Sequence, residues 1–121
     1  MKYLCLVYGD ETALREAADS PRDGECLACD EALRDSGHLI ASEALAPVHT
    51  ATTVRVRRGD ASVTDGPFAE TKEQLAGFLL IDARDLNEAI RVAARIPAAR
   101  VGGVEIRPVR RLDTASRPMA G

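Results

Sequence analysis

Tryptophan is absent from this chain, and Tyr3, Tyr8, Phe68 and Phe78 supply every aromatic ring in its 121 residues. An aromatic cage for a quaternary ammonium, or a stacking platform for single-stranded nucleic acid, therefore lacks its material. An excess of positive charge is missing too. Lys and Arg number 16 against 19 Asp and Glu, a formal net charge of −3, whereas duplex binding draws most of its affinity from cationic side chains set against phosphate. Arg55, Arg57, Arg58, Arg107, Arg110 and Arg111 are enough for a local basic patch. They read more simply as solvent-facing strand positions and a polar tail, and no nucleic-acid partner is expected.

Long apolar runs are lacking as well. No stretch approaches the roughly twenty apolar residues that span a bilayer. The run after Lys2 is closed by Gly9, Asp10 and Glu11, too short for a signal peptide, and Cys5 comes too early for a lipoprotein cleavage site. A cytoplasmic location without a membrane partner follows as the expectation. Cysteine is scarce and odd in number: Cys5, Cys26 and Cys29 argue against a disulfide framework. The Cys26-Leu-Ala-Cys29 spacing invites a redox or zinc reading. However, the pair lies inside an expected helix rather than at its start, and a zinc site needs about four ligands. Two small hydrophobes facing the core fit better, so no metal or cofactor is expected. There is no glycine-rich phosphate loop and no serine nucleophile elbow; Gly102-Gly103 is a turn.

What is present is a hydrophobic content of 45% with 29% charged residues. That balance suits one folded domain, placed at residues 1–112, with 113–121 as a loose C-terminal tail. Residues 2–8 are β-rich and end at Gly9, which predicts a first strand; residues 10–19 suit a short helical turn. Ser20-Pro21-Arg22-Asp23 predicts a helix start with Ser20 as N-cap, and the helix runs to Ser36 and stops at Gly37. Cys26, Cys29 and Leu33 share one face of it. A second strand is expected over 39–45. Alternation from Thr53 to Arg57, with a tight turn at Gly59-Asp60, predicts a hairpin over 52–65. Ala76 to Ile81 is a nearly unbroken apolar strand. Asp85-Leu-Asn-Glu88 caps a further helix with an apolar stripe of Leu86, Ala89, Ile90, Ala93 and Ala94, closed by Pro97. A last strand lies within 101–109.

This order predicts an α+β fold, a ferredoxin-like split βαβ sandwich with an added β-hairpin. Both helices fall on one face of the sheet. The other face is left with Leu, Val and Ile and nothing to cover it, so homodimerisation through the sheet is expected.

The candidate chemistry gathers around Asp65-Gly-Pro-Phe68. Gly66 and Pro67 constrain the backbone there and set Asp65, Glu70 and Lys72 at the lip of the buried strand. Asp65, with Lys72 nearby to tune it, can act as general base, while Glu70 and Lys72 can bind a polar ligand. Equally, Asp65 can bond the turn backbone and Glu70 and Lys72 can form a surface pair worth little. His49, just before the hairpin, is positioned to approach Asp65 or a partner subunit as acid or base, or else is merely exposed. His38, beside the helix stop, suits a charge partner for the helix end. Phe68 suits a plug into the core or the dimer seam better than a ligand-stacking ring.

Asp65-Gly-Pro-Phe68 followed by Glu70-Thr-Lys-Glu73, with Ala94-Arg-Ile-Pro97 and Val104-Glu-Ile-Arg-Pro-Val109 in that order, resembles the DGPF-type branch of the YCII-related proteins. The likeness covers Met1 to about Val109. It implies a dimeric α+β barrel of ferredoxin-like subunits, bacterial and cytoplasmic, encoded in many cases beside extracytoplasmic-function sigma factors. In the wider family a helix-borne His paired with an acid is the proposed catalytic dyad. The first long helix here carries Cys26 and Cys29 and no His, a departure from that dyad. Two functions follow as expectations: a small-molecule-handling protein using acid/base chemistry in a dimer cleft, or a non-catalytic regulatory partner of a sigma factor.

Overall fold

The computed structural model describes residues 1–114, and most of the expected tail, residues 115–121, lies outside the described residues. Strand β1 (Lys2–Gly9) leads into a short helix α1 (Glu11–Arg15), then helix α2 (Asp23–Asp35) and strand β2 (Leu39–Ala44). Strands β3 (Thr52–Arg57) and β4 (Asp60–Asp65) follow, then β5 (Gln74–Asp82), helix α3 (Leu86–Ala93) and β6 (Gly103–Pro108). The main sheet has the order β2-β5-β1-β6 with every pairing antiparallel, and β3 and β4 pair separately. This mixed architecture of antiparallel sheets and three helices is consistent with a ferredoxin-like α+β fold.

Alternation along the strands decides which side is the core. Tyr3, Cys5 and Val7 of β1 and Leu79 and Ile81 of β5 point one way and are buried, as period-two side chains must when one sheet face is covered. Leu33 of α2 and Ala89, Val92 and Ala93 of α3 close over them. Full burial of a Leu or Ile side chain stabilises the fold by roughly 1.5–3 kcal/mol, and Leu33 and Ile81 both reach 0% exposure. The opposite face presents the half-buried Leu4, Leu6, Tyr8, Phe78 and Leu80. Charged residues flank this apolar centre in the ladder, with Leu4 opposite Arg107, Leu6 opposite Glu105 and Phe78 opposite Glu43.

Several local expectations shift. Helix α2 starts at Asp23 with Arg22 as N-cap, because the Glu25 carboxylate accepts from the Arg22 N–H at 3.4 Å. Ser20 is not the cap; its hydroxyl donates to the Ala13 carbonyl at 2.8 Å. The expected stop holds: Gly37, at φ 82°, donates to the Arg34 carbonyl while His38 donates to that of Leu33, the two bonds of a Schellman cap. The β3–β4 turn is centred on Arg58 and Gly59, one residue earlier than expected, with φ of 53° and 83°. Positive φ at both central residues is the type I′ geometry that matches strand twist. On α3 the Asp85 cap forms, its carboxylate accepting from the Glu88 N–H at 2.9 Å. The buried stripe, however, is Ala89, Val92 and Ala93, leaving Leu86 and Ile90 about half exposed. Helix α3 is rotated relative to the expected stripe because Val92 occupies the inward position.

Candidate functional site

The four residues singled out in the sequence lie on two exposed loops and a strand end. Asp65 ends β4, opposite Thr52. Gly66 follows at φ 111°, its N–H donating to the Ala51 carbonyl at 2.8 Å and its carbonyl accepting from Thr53 Oγ1 at 2.9 Å. His49 sits in a 3-10 turn, Val48–Thr50, tied to α1 where the Val48 N–H donates to Glu11 Oε2 at 3.2 Å. The turn bonds thus bring the backbones at His49 and Asp65 near one another, although both side chains face solvent. Glu70 and Lys72 occupy the loop into β5. Gln74 clamps that loop by donating its side-chain amide to the carbonyls of Ala69 and Thr71 at 3.0 and 2.9 Å. Lys72 lines an open depression of about 540 Å³ with Asp10, Thr71 and Glu73, less enclosed than the groove beside α2.

Among the described residues, no hydrogen bond or ion pair joins any two of Asp65, His49, Glu70 and Lys72. Nor does the Asp65 carboxylate take a bond from the turn backbone. Within a single chain, then, no direct bond links these four side chains to one another. Phe68 is not a core plug either. It is 73% exposed, and Arg55 stacks on its ring with the guanidinium carbon 4.6 Å from the centroid, a cation–π contact of modest strength at an exposed position.

The concave site lies elsewhere, on the helix side of the sheet. A groove of about 470 Å³ runs between α2 and the β2–β5 edge, floored by Leu79, Ile96 and Ala98. Its size and largely apolar lining suit a small organic molecule. Two polar side chains are fixed inside it: Ser42 of β2 donates its hydroxyl to Asp30 Oδ2 at 2.6 Å. Asp30 Oδ1 takes no hydrogen bond among the described residues, which leaves an acceptor for a ligand. Gly77 sets how close β2 comes, since a Cβ there would stand 2.7 Å from the Glu43 carbonyl oxygen. At the far end Arg100 grips Glu25 through both guanidinium nitrogens, at 2.5 and 2.8 Å. That fork fastens the first turn of α2 to the Pro97–Arg100 segment, and it holds the Glu25 carboxyl below the usual carboxylate range.

Cys26 and Cys29 line this groove and are half-buried rather than sealed in the core. The Cys29 thiol donates to the Arg95 carbonyl at 3.5 Å. Burial first, then neighbouring carboxylates including Asp30, pushes both thiols up from the ordinary value, so they are poor nucleophiles at neutral pH. Cys5 is fully enclosed and burial pushes its thiol up to about 11. Among the described residues, no group of three or more His, Cys, Asp and Glu is arranged to hold a metal ion. His38, just past the end of α2, reaches across to α3. Its Nδ1 lies 2.7 Å from Ser36 Oγ and its Nε2 3.3 Å from Glu88 Oε1. The Arg84 backbone N–H, with the Arg84 and His38 side chains, lowers the Glu88 pKa.

Asp30 and Ser42 escaped the sequence reading. One signal for them was there: Ser42 is a polar residue at an inward position opposite Leu79 on a strand whose other inward residue, Leu39, is buried. A hydroxyl there needs a partner, and Asp30, on the turn of α2 that carries Cys26 and Cys29, supplies it.

An antiparallel α+β sheet with its helices on one face is a scaffold shared by many activities, so kinship has to come from the sequence. A family model for the YCII-related domain matches residues 1–113. The chain is also 38% identical over 114 residues, 90% of its own length and 92% of the other's, to an uncharacterised protein of Rhizobium meliloti (strain 1021). The chain belongs to the YCII-related family. Among the described residues, no helix is long and apolar enough to cross a membrane.

Proposed function

We propose that this chain is a small-molecule-handling member of the YCII-related family, of the DGPF-type branch, working as a cytoplasmic homodimer. The observation that carries the reading is the groove beside α2, where a hydrogen-bonded Asp30–Ser42 pair stands over an apolar floor. Proton transfer by Asp30 is the chemistry this inventory supports without an added group. The apolar centre and charged flanks of the open sheet face have the anatomy of a subunit interface, which supports the homodimer. In that assembly Asp65, His49, Glu70 and Lys72 are lip residues, and a second copy would have to complete any cleft they form.

The test is amide-resolved NMR of the labelled protein against a library of small metabolites, with sedimentation run in parallel. Shifts clustered at Cys29, Ser42 and Gly77 support the groove; shifts confined to 65–72 move the site to the turn, and no shifts at all overturn the reading. A stable monomer at micromolar concentration overturns the homodimer.

A second reading, a non-catalytic partner of an extracytoplasmic-function sigma factor, is favoured by the exposed setting of Asp65, Phe68 and Glu70, which suits a protein surface better than a pocket. Failure of the purified sigma factor to form a complex with this chain excludes it.

A further inference from the structure

The side chains that frame the groove are unevenly charged. Asp23 and Asp30 line it, against one basic side chain among the described residues, Arg15; Glu43 borders it through its backbone, since its side chain alternates with Ser42 onto the open sheet face. Arg15 is already engaged, since its guanidinium donates to the Leu45 carbonyl at 2.8 Å and lies 3.8 Å from Glu11 Oε2. Two carboxylates, Asp23 and Asp30, therefore face the groove with little to balance them. The half-buried thiols feel the same field: after burial, Glu25, Asp23 and Asp30 raise Cys26 and Asp30 raises Cys29, against a smaller opposing pull from Arg100 and Arg95 respectively. An anionic ligand entering here meets repulsion, while a cation meets a carboxylate whose second oxygen has no partner among the described residues.

Taking the groove as the small-molecule site proposed above, we propose that its ligand is a small organic amine with an apolar body. The protonated nitrogen donates to Asp30 Oδ1, and the hydrocarbon part lies on Leu79, Ile96 and Ala98. A charge-assisted N–H to carboxylate bond is about twice as strong as a neutral one, and partial enclosure reduces the screening that weakens it in open water. Ser42 keeps the carboxylate in one orientation by occupying Oδ2. The Asp30–Ser42 pair thus acts as the head-group reader and the apolar floor as the body reader.

Three probes of the same shape test this: cyclohexylmethylamine, cyclohexylmethanol and cyclohexanecarboxylate, each titrated into the labelled protein by amide NMR. The expected result is that the amine shifts the amides of Cys29, Ser42 and Gly77 and binds roughly ten-fold or more tightly than the carboxylate. Its advantage over the alcohol should shrink as salt is added, and should vanish in Asp30→Asn while the alcohol's own affinity is kept. Asp23→Asn, at an exposed position that lines the groove, should weaken the amine in the same direction and serves if Asp30→Asn folds poorly. Equal or tighter binding of the alcohol or carboxylate in the groove overturns the amine preference and leaves the groove as a site. Absence of groove shifts with all three probes overturns both.

Discussion

The main sheet and the β3–β4 ladder are built from similar residues and end in opposite conditions. In the sheet, every second side chain of β1 and β5 is sealed beneath α2 and α3. In the ladder, Val54, Val56 and Val63 share one face at about 60% exposure or more, and Thr53 alone escapes full exposure. Hydrogen bonding and alternation are equally good in both. The difference is what lies across the face. A two-stranded ribbon has no second layer of its own and is marginal alone in water. Its shape here is held by the Arg58-Gly59 turn at one end and the Gly66 bonds at the other. Its valines are spare apolar surface, and the open face of the main sheet is apolar at its centre too.

The sharpest break between the two regions is expected from paired truncations. Leu33→Ala should cost on the order of 2–5 kcal/mol in chemical denaturation, since it opens a cavity in a closed core. Val63→Ala should fall within about 0.5 kcal/mol at low protein concentration. If the Val63→Ala loss grows with concentration, a second copy covers the ribbon; if it equals the Leu33→Ala loss at every dilution, the two regions do not differ as described.

A middle effect is expected where the ribbon joins the sheet. Gly66 holds φ 111° with open space around it, so a side chain there meets backbone strain and no clash. Gly66→Val should cost on the order of 1–3 kcal/mol, with Gly66→Asn milder. An unchanged melting temperature for Gly66→Val would show that the junction is slack.

The smallest effect is electrostatic and belongs to the helical layer. Glu25 and Glu88 both have lowered pKa values in the folded protein, held chiefly by Arg100 and by the Arg84 N–H respectively. A carboxylate lowered in this way contributes stability that is present above its unfolded pKa, near 4.5. That contribution is lost as pH falls through the folded value. Glu25 is exposed and Glu88 only half-buried, so the loss is modest. Unfolding midpoints followed from pH 6 downward should drop less steeply for Glu25→Gln than for the parent. An identical acid limb would show that the Arg100 fork does not stabilise the fold.

The order of elements was legible because it depends on local signals: alternation in 2–8 and 53–57, the glycine stop at 37, the Asp85 cap. The inward face of α3 was misjudged because Leu86 and Ile90 are apolar yet exposed, and composition alone does not say which of two adjacent stripes meets the sheet. The start of α2 was misplaced because Glu25 reaches back to Arg22, a bond that competes with the Ser20 cap. Apart from the polar Ser42 at an inward strand position, the groove was not legible. Asp30 and Ser42 are 12 positions apart, on elements whose spacing is set by packing, and neither lies in a recognisable motif. The Asp-Gly-Pro-Phe turn stands out for the opposite reason: its sequence is distinctive, while no direct bond joins its ionisable side chains within one chain.

Gly77 has no functional group, yet it works as a gauge. Edge strand β2 rests against its bare α-carbon at the Glu43 carbonyl, closer than any side chain would permit, and Ser42 is the adjoining residue on that strand, paired with Leu79. A methyl group at 77 would act as a wedge, levering β2 outward and lengthening the 2.6 Å reach from Ser42 to Asp30. The width of the groove is thus written as an omitted atom. Any change of ligand that called for a wider mouth could begin at this position without touching a residue that meets the ligand's head group.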